Sequence, residues 1–228
     1  MYPKNEYLEL IENKLDALDL KNIKKFTYSP NPEILTGEIE VLTNYTQRKR
    51  SLELRKKMFE DKEDEQSIKE LERLEQLYTL GKVNFDSVII IDFGNNLKSV
   101  LTSLVYTDVN QDEVLFTTIN QWFDESIFYE NTIKNLYYPS ISHKEFIKYN
   151  KRYFDKFKTY PNEITILTYD ALGLIYYLWK NNEDIKSISD FSFKNKIKGK
   201  IGTFSFKDKK VIQELSIYRV ADKKFTKF

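Results

Sequence analysis

The chain has 228 residues, with 36 Lys and Arg against 35 Asp and Glu, so its formal net charge is +1. Hydrophobic residues make up 41% and charged residues 31%, a mixture typical of a globular protein with a substantial core. The charge balance gives no general attraction to nucleic acid or anionic membranes, and the lack of Cys excludes disulfides, thiolate catalysis and Cys-ligated metals.

The first 43 residues predict two helices separated by a short strand. Apolar residues recur at helical spacing over residues 5–20, which predicts an amphipathic helix. A short strand at residues 24–28 is ended by Ser29-Pro30-Asn31-Pro32, and a second helix is predicted at residues 33–43. No hydrophobic stretch at the start has the form of a signal peptide, and no stretch of the chain approaches the ~20 apolar residues of a membrane span.

Residues 47–80 differ in composition from the rest of the chain. A basic half is followed by an acidic turn at residues 60–65 and then by an apolar stripe. The basic half contains Arg48, Lys49, Arg50, Arg55, Lys56 and Lys57. We predict a helical hairpin with charged outer faces, packed through Ile68, Leu71 and Leu74. Such a hairpin is either a solvated surface excursion or an arm that contacts another protein.

The remainder alternates between strand and helix patterns. The apolar, β-branched run at residues 87–92 predicts a strand covered on both faces, as in a parallel sheet. Ser142 and Glu145 form a capping box that opens a helix, and residues 164–179 are apolar almost all round, which predicts a buried helix. Further strands are predicted at residues 114–118, 136–138 (stopped by Pro139), 202–206 and 215–220. The alternation predicts an α/β fold built from parallel βαβ units.

Polar side chains follow two of the predicted strands, where open α/β sheets bind ligands. Asn95 and Asn96 follow the first strand, and Asn120 and Trp122 follow the next. If the protein captures a small solute, we expect Asn95, Asn120 and Trp122 to face one concave site. The alternative is an ordinary loop between strand and helix, with a Trp that only packs.

Among the carboxylates we single out Asp92, which ends the first strand, and Asp170. For both, hydrogen bonding to nearby backbone is the commoner role. The one histidine, His143, lies in the capping box without partners for a metal or triad site, which favours an ordinary surface residue. The sequence has no phosphate-binding glycine loop and no hydrolase or kinase motif, so we expect no enzyme activity, cofactor or metal.

Several segments together resemble a known superfamily. Thr168-Tyr169-Asp170-Ala171, the stretch from Ile197 to Phe206 and Leu215-Ser216-Ile217-Tyr218-Arg219-Val220 are similar to the end of branched-chain amino-acid-binding proteins. Tyr2-Pro3-Lys4-Asn5-Glu6-Tyr7 is similar to the opening of their second lobe. The resemblance implies a type I periplasmic-binding-protein-like fold: a second lobe from residues 1–122 and 202–228, and a partial first lobe from residues 136–181. The N-terminal part of such a fold would be missing from this chain.

A second resemblance points to one branch of this superfamily. The segment from Leu42 to Arg50, the hairpin at residues 47–80 and the segment from Leu80 to Val88 are similar to the penicillin-binding protein activator branch. This implies a non-enzymatic envelope protein that regulates peptidoglycan synthesis by binding a penicillin-binding protein. It also implies a periplasmic location, with a lipid anchor to the outer membrane in the full-length protein.

The alternative is the periplasmic solute-binding component of a branched-chain amino-acid ABC transporter. In that case a small amino-acid-like ligand would bind between the lobes. The candidate contacts are Tyr7, Asn95, Asn96 and Asn120 for its carboxylate, Asp92 for its ammonium group, and Trp122 on the cleft wall.

Overall fold

The computed structural model describes residues 1–129, 133–181, 187, 196–200, 202–207 and 210–228. The chain forms a mixed α/β structure that divides into two compact units. Unit 1 consists of Met1–Ile119, Glu125–Tyr137 and Val220–Lys224. Unit 2 consists of Asn120–Asp124, Tyr138–Arg219 and Phe225–Phe228. The assignment of residues to the lobes of a known fold stays a prediction.

The first predicted helix and strand both form, but they are shorter than their sequence patterns. Helix α1 spans Leu8–Asp16, and the strands β1 (Tyr2–Pro3) and β2 (Thr27–Tyr28) pair in parallel. The backbone of Met1 accepts a hydrogen bond from Ile91 and donates one to Ile89, so β1 lies beside the strand that contains Ile89. Helix α2 spans Pro32–Leu42, because Asn31 caps the Glu33 N–H and proline suits the first helical position.

The hairpin predicted at residues 47–80 is confirmed as two helices in contact, α3 (Tyr45–Glu60) and α4 (Glu65–Glu75). Asp64 starts α4 by accepting a hydrogen bond from the Ser67 N–H at 2.9 Å. Leu74 is buried as predicted, but Ile68 is exposed, so the predicted seam was wrong in part. On α3 the buried apolar residue is Leu52.

A parallel arrangement forms the centre of unit 1. Strand β3 (Ser87–Ile90) pairs along its length with β4 (Leu115–Thr118), and helix α5 (Gly94–Tyr106) connects them. Strand β5 (Leu136–Ser140) pairs with β4 through Thr117 and Tyr137. Pro139 lies inside β5, so the expected stop was wrong. The pair with β4 lies ahead of the proline, so the missing N–H does not interrupt it.

The faces of β3 are not equally covered. Val88 and Ile90 are buried, together with Leu97, Val100, Leu101 and Leu104 of α5. Ile89, which points to the opposite face, is 54% exposed. The expectation that both faces of this strand are covered was therefore wrong. A continuous apolar run is typical of a strand with two covered faces, but here one face is open at Ile89.

Unit 2 contains two long helices. Helix α6 spans His143–Phe157, and the Ser142 hydroxyl accepts the Glu145 N–H at 3.4 Å, which is one of the two bonds of the predicted capping box. The Glu145 carboxylate accepts a hydrogen bond from Lys148 at 2.8 Å. Helix α7 spans Glu163–Asn181. Its predicted burial was wrong: Ile166 is buried, but Leu172 and Trp179 are 61% and 64% exposed. An apolar helix is buried only where another element of the fold covers it. In this structure much of α7 faces solvent.

The tail departs from the predicted parallel pattern. Strands β6 (Ile197–Lys198), β7 (Thr203–Lys207) and β8 (Lys210–Gln213) form an antiparallel sheet. Strands β9 (Ser216–Ala221) and β10 (Lys224–Lys227) are neighbours in a sheet. Asp222 and Lys223 join β9 to β10 with φ of 50° and 57°, the signs of a type I′ hairpin turn. Within the described residues, no helix combines the length and the apolarity that a bilayer crossing requires.

Candidate functional site

The six predicted ligand residues do not fall in one unit. Four belong to unit 1 and two to unit 2. The unit 1 residues are Tyr7, Asp92, Asn95 and Asn96, and the unit 2 residues are Asn120 and Trp122. The predicted common site of Asn95, Asn120 and Trp122 therefore stays a prediction, and the surroundings of each residue are described in its own unit.

Asp92 is buried where β3 leads into α5. Its Oδ2 accepts a hydrogen bond from the Tyr28 hydroxyl at 2.7 Å, and its Oδ1 accepts the Phe93 N–H at 2.8 Å. Burial and this carboxylate together raise the pKa of Tyr28 far above its usual range. Asp92 thus ties β2 to the end of β3, and the backbone bonding expected from the sequence is present in its bond with Phe93.

The other three unit 1 candidates are exposed. Tyr7 directly precedes α1. Asn95 and Asn96 lie in the first turn of α5, which begins at Gly94 with φ of +53°, a conformation that favours glycine. Asn95 also lines a shallow groove of about 350 Å³ beside Pro32 and Lys98. These side chains can contact a ligand, but they lie on an open surface.

In unit 2, Asn120 is exposed and Trp122 belongs to an aromatic cluster. Trp122 packs on Phe146 with ring centroids 6.1 Å apart. The adjacent Phe123 is buried at the centre of the cluster, with its ring 4.4 Å from His143 and 4.9 Å from Tyr218. His143, expected on the surface, is therefore half-buried among rings. Its place in the first turn of a helix indicated exposure. The sequence does not show that aromatic residues from elsewhere in the chain pack over this turn.

Asp170 also has a long-range partner. Both carboxylate oxygens accept the N–H of Lys200, at 2.8 and 3.0 Å, although 30 residues separate the two. A Cβ atom on Gly199 would overlap the Asp170 carboxylate and contact Phe204, so a larger residue at this position would displace that carboxylate. The bond closes one wall of an open cavity of about 820 Å³ between α6, α7 and the β6–β7 segment.

Arg48 has a structural role that its sequence pattern did not predict. It was expected among the solvated basic residues of the hairpin, but only 8% of it is exposed. Nε donates to the Gly81 carbonyl at 3.1 Å, Nη1 to the Thr107 carbonyl at 3.1 Å, and Nη2 to Thr79 Oγ1 at 2.7 Å. Nη2 also donates to the Asp108 carbonyl at 3.0 Å.

These hydrogen bonds attach the base of α3 to the loop after α4 and to the loop after α5. Burial lowers the pKa of Arg48, and the Asp108 carboxylate 3.8 Å away opposes this change. One signal of the burial was present in the sequence. Arg48 lies four residues before the buried Leu52, on the same face of the helix.

The described residues contain no group of three or more His, Asp or Glu side chains placed to hold a metal ion. A scan of this chain against protein-family models found no match. A search of curated proteins likewise found no significantly similar sequence.

Proposed function

We propose that this chain is a non-enzymatic binding protein that contacts a protein partner through the hairpin formed by α3 and α4. The main observation behind this proposal is that the buried Arg48 anchors the hairpin to the rest of unit 1, while the outer face of the hairpin is basic and apolar. An anchored helix presents its side chains without the loss of conformational freedom that ordering a flexible arm on binding would cost.

The outer face is the α3 stripe, defined by Arg50, Leu54, Lys57 and Met58. These residues lie at spacings of three and four, so they share one side of the helix. Leu54 and Met58 are 56% and 58% exposed, and both cations are exposed beside them. Helix α3 carries six basic and two acidic residues. A partner with an acidic surface and a shallow apolar patch would match the stripe in charge and polarity.

The identity of the partner rests on the resemblance to the penicillin-binding protein activator branch. On that basis the partner is a penicillin-binding protein, the process is the regulation of peptidoglycan synthesis, and the location is the periplasm. The hairpin supports this branch over the transport branch, because a helical hairpin with an exposed basic and apolar stripe has no use in the capture of a small solute.

The experiment is a binding titration of the protein against purified penicillin-binding proteins of its source bacterium. We expect Leu54→Asp and Lys57→Glu each to weaken binding about tenfold or more, or about 1.4 kcal/mol. Leu10→Asp on α1 is the matched control, because Leu10 is 56% exposed, the same fraction as Leu54. Higher ionic strength should also weaken the complex, since part of the attraction is electrostatic.

Two results would contradict the proposal. Wild-type protein that binds none of these enzymes would refute the partner, and binding that Leu54→Asp and Lys57→Glu leave unchanged would refute the α3 stripe. Calorimetric titration with amino acids tests the transport alternative directly. Tight binding of an amino acid that is lost in Trp122→Ala would favour solute capture over regulation.

A further inference from the structure

A second surface of unit 1 has the properties of a small-molecule site. An open cleft of about 300 Å³ lies between α1, the segment that follows it, and β3. Its wall is mainly aliphatic and aromatic, contributed by Leu15, Leu20, Ile23, Phe26, Phe85 and Ile89. Ligand sites in proteins are concave and largely apolar, with a few polar groups at defined positions.

The cleft exists because α1 does not cover the sheet. Its apolar side chains recur at helical spacing, yet none of the residues in α1 is buried. Ile89, in the interior of β3, is 54% exposed, and Leu20 and Ile23 are nearly as open. Strands of parallel sheets are normally covered on both faces, so this part of the sheet leaves apolar surface in water. An apolar guest would remove that surface from solvent.

The rim of the cleft supplies hydrogen-bond donors. Asn22, Lys24 and Asn84 line it. Lys25 also lines it, but its ammonium group is paired with Asp16. For Lys24 no ion pair is found within the described part of the chain. Asp86 is the one carboxylate in the lining, and Lys24 is the side chain there that would pair with a negatively charged head group.

We propose that this cleft binds a single acyl chain that ends in a free carboxylate. The volume is at the small end of ligand sites, which suits one chain of medium length rather than a lipid with two chains. The chain would lie along Ile89 and Ile23, and its carboxylate would accept hydrogen bonds from Lys24 and the amides of Asn22 and Asn84. This site is independent of the α3 stripe.

The test is calorimetric titration of the protein with decanoate below its micelle concentration. We expect saturable binding that weakens about tenfold when the ligand is shortened to octanoate, since each buried methylene contributes ~0.8 kcal/mol. Ile89→Asp should abolish binding, because it places a charge on the floor of the cleft. Ile34→Asp on α2 is the matched control, because Ile34 is 50% exposed and lies outside the cleft.

A second variant tests the head group. Lys24→Glu changes an exposed side chain, so the fold should be retained, and a thermal melt checks this. It should weaken decanoate binding at least tenfold and strengthen the binding of decylammonium. Vesicles of phosphatidylglycerol distinguish a free acid from a membrane lipid, and we expect no binding to them.

Lack of saturable binding to decanoate would overturn the proposal. So would equal affinity for decanoate, decanol and decylammonium, or binding that survives Ile89→Asp. Vesicle binding that Ile89→Asp removes would replace the free acid by a lipid. None of these outcomes depends on whether a penicillin-binding protein is bound.

Discussion

Two buried tyrosines provide a sharp test of the packing, because the same substitution should have opposite effects at each. Tyr28 is 0% exposed, and its hydroxyl donates to Asp92 Oδ2 at 2.7 Å. Tyr138 is 2% exposed, and its hydroxyl has no hydrogen-bond partner among the described residues. Replacing either by Phe removes one oxygen and leaves the ring.

The magnitudes follow from the state of each hydroxyl. A hydrogen bond to a charged group contributes ~1.5–3 kcal/mol, so Tyr28→Phe should lower the free energy of unfolding of unit 1 by about 2 kcal/mol. A buried polar group without a partner costs ~1–3 kcal/mol, so Tyr138→Phe should raise that of unit 2 by about 1 kcal/mol. In a protein of this size, 1 kcal/mol corresponds to a shift of about 2–4 °C in Tm.

The assay is urea denaturation, followed by tryptophan fluorescence and by far-UV circular dichroism. The two tryptophans, Trp122 and Trp179, are both in unit 2, so fluorescence reports that unit while circular dichroism reports both. The reasoning would be refuted if Tyr138→Phe destabilised the protein as much as Tyr28→Phe. That result would mean that the Tyr138 hydroxyl has a partner, such as a bound water.

The pH dependence of stability in alkaline solution is a second test of the difference between Tyr28 and Tyr138. Burial raises the pKa of Tyr28 and of Tyr138 above the value near 10 of an unfolded tyrosine. The folded state keeps both phenols neutral while the unfolded state ionises, so stability is full below pH 10 and falls above it. Each phenol contributes up to ~1.4 kcal/mol per pH unit to this fall. The stability gap between wild type and Tyr28→Phe should therefore narrow above pH 10, and the advantage of Tyr138→Phe should grow.

Three further substitutions test other contacts, each by urea denaturation. Arg48→Lys should lower the free energy of unfolding by about 3 kcal/mol, because one ammonium group cannot reach the four acceptors of the guanidinium. The control, Arg50→Lys on the exposed face, should change it by less than ~0.5 kcal/mol. Equal effects would mean that Arg48 is not buried. Gly37→Ala, within α2 and with open space around its Cβ position, should stabilise by ~0.5–1 kcal/mol. Gly199→Ala should instead destabilise by ~1–3 kcal/mol by displacing Asp170, and a neutral result would contradict that close approach.

Local signals in the amino-acid sequence were sufficient for most helices and strands. Helices α2 and α6 form where the sequence predicts them, because helix starts and apolar spacing depend on side chains within a turn or two. The hairpin was also predictable, from its charge pattern and its apolar stripe. Of the candidate ligand residues, the bonding of Asp92 to adjacent backbone was anticipated.

Burial and long-range partners depended on which surfaces meet, and no local pattern contains that information. Arg48 is buried because loops distant in the chain supply carbonyl acceptors around it. The residues that follow it in the sequence are also basic, yet they are exposed. Asp170 receives its hydrogen bonds from a backbone N–H far along the chain. Ile89 and Trp179 are exposed despite their apolar side chains, because the hydrophobic gain is realised only where another element covers them. Periodicity shows which face of a helix or strand is apolar, and the tertiary arrangement decides whether that face is covered.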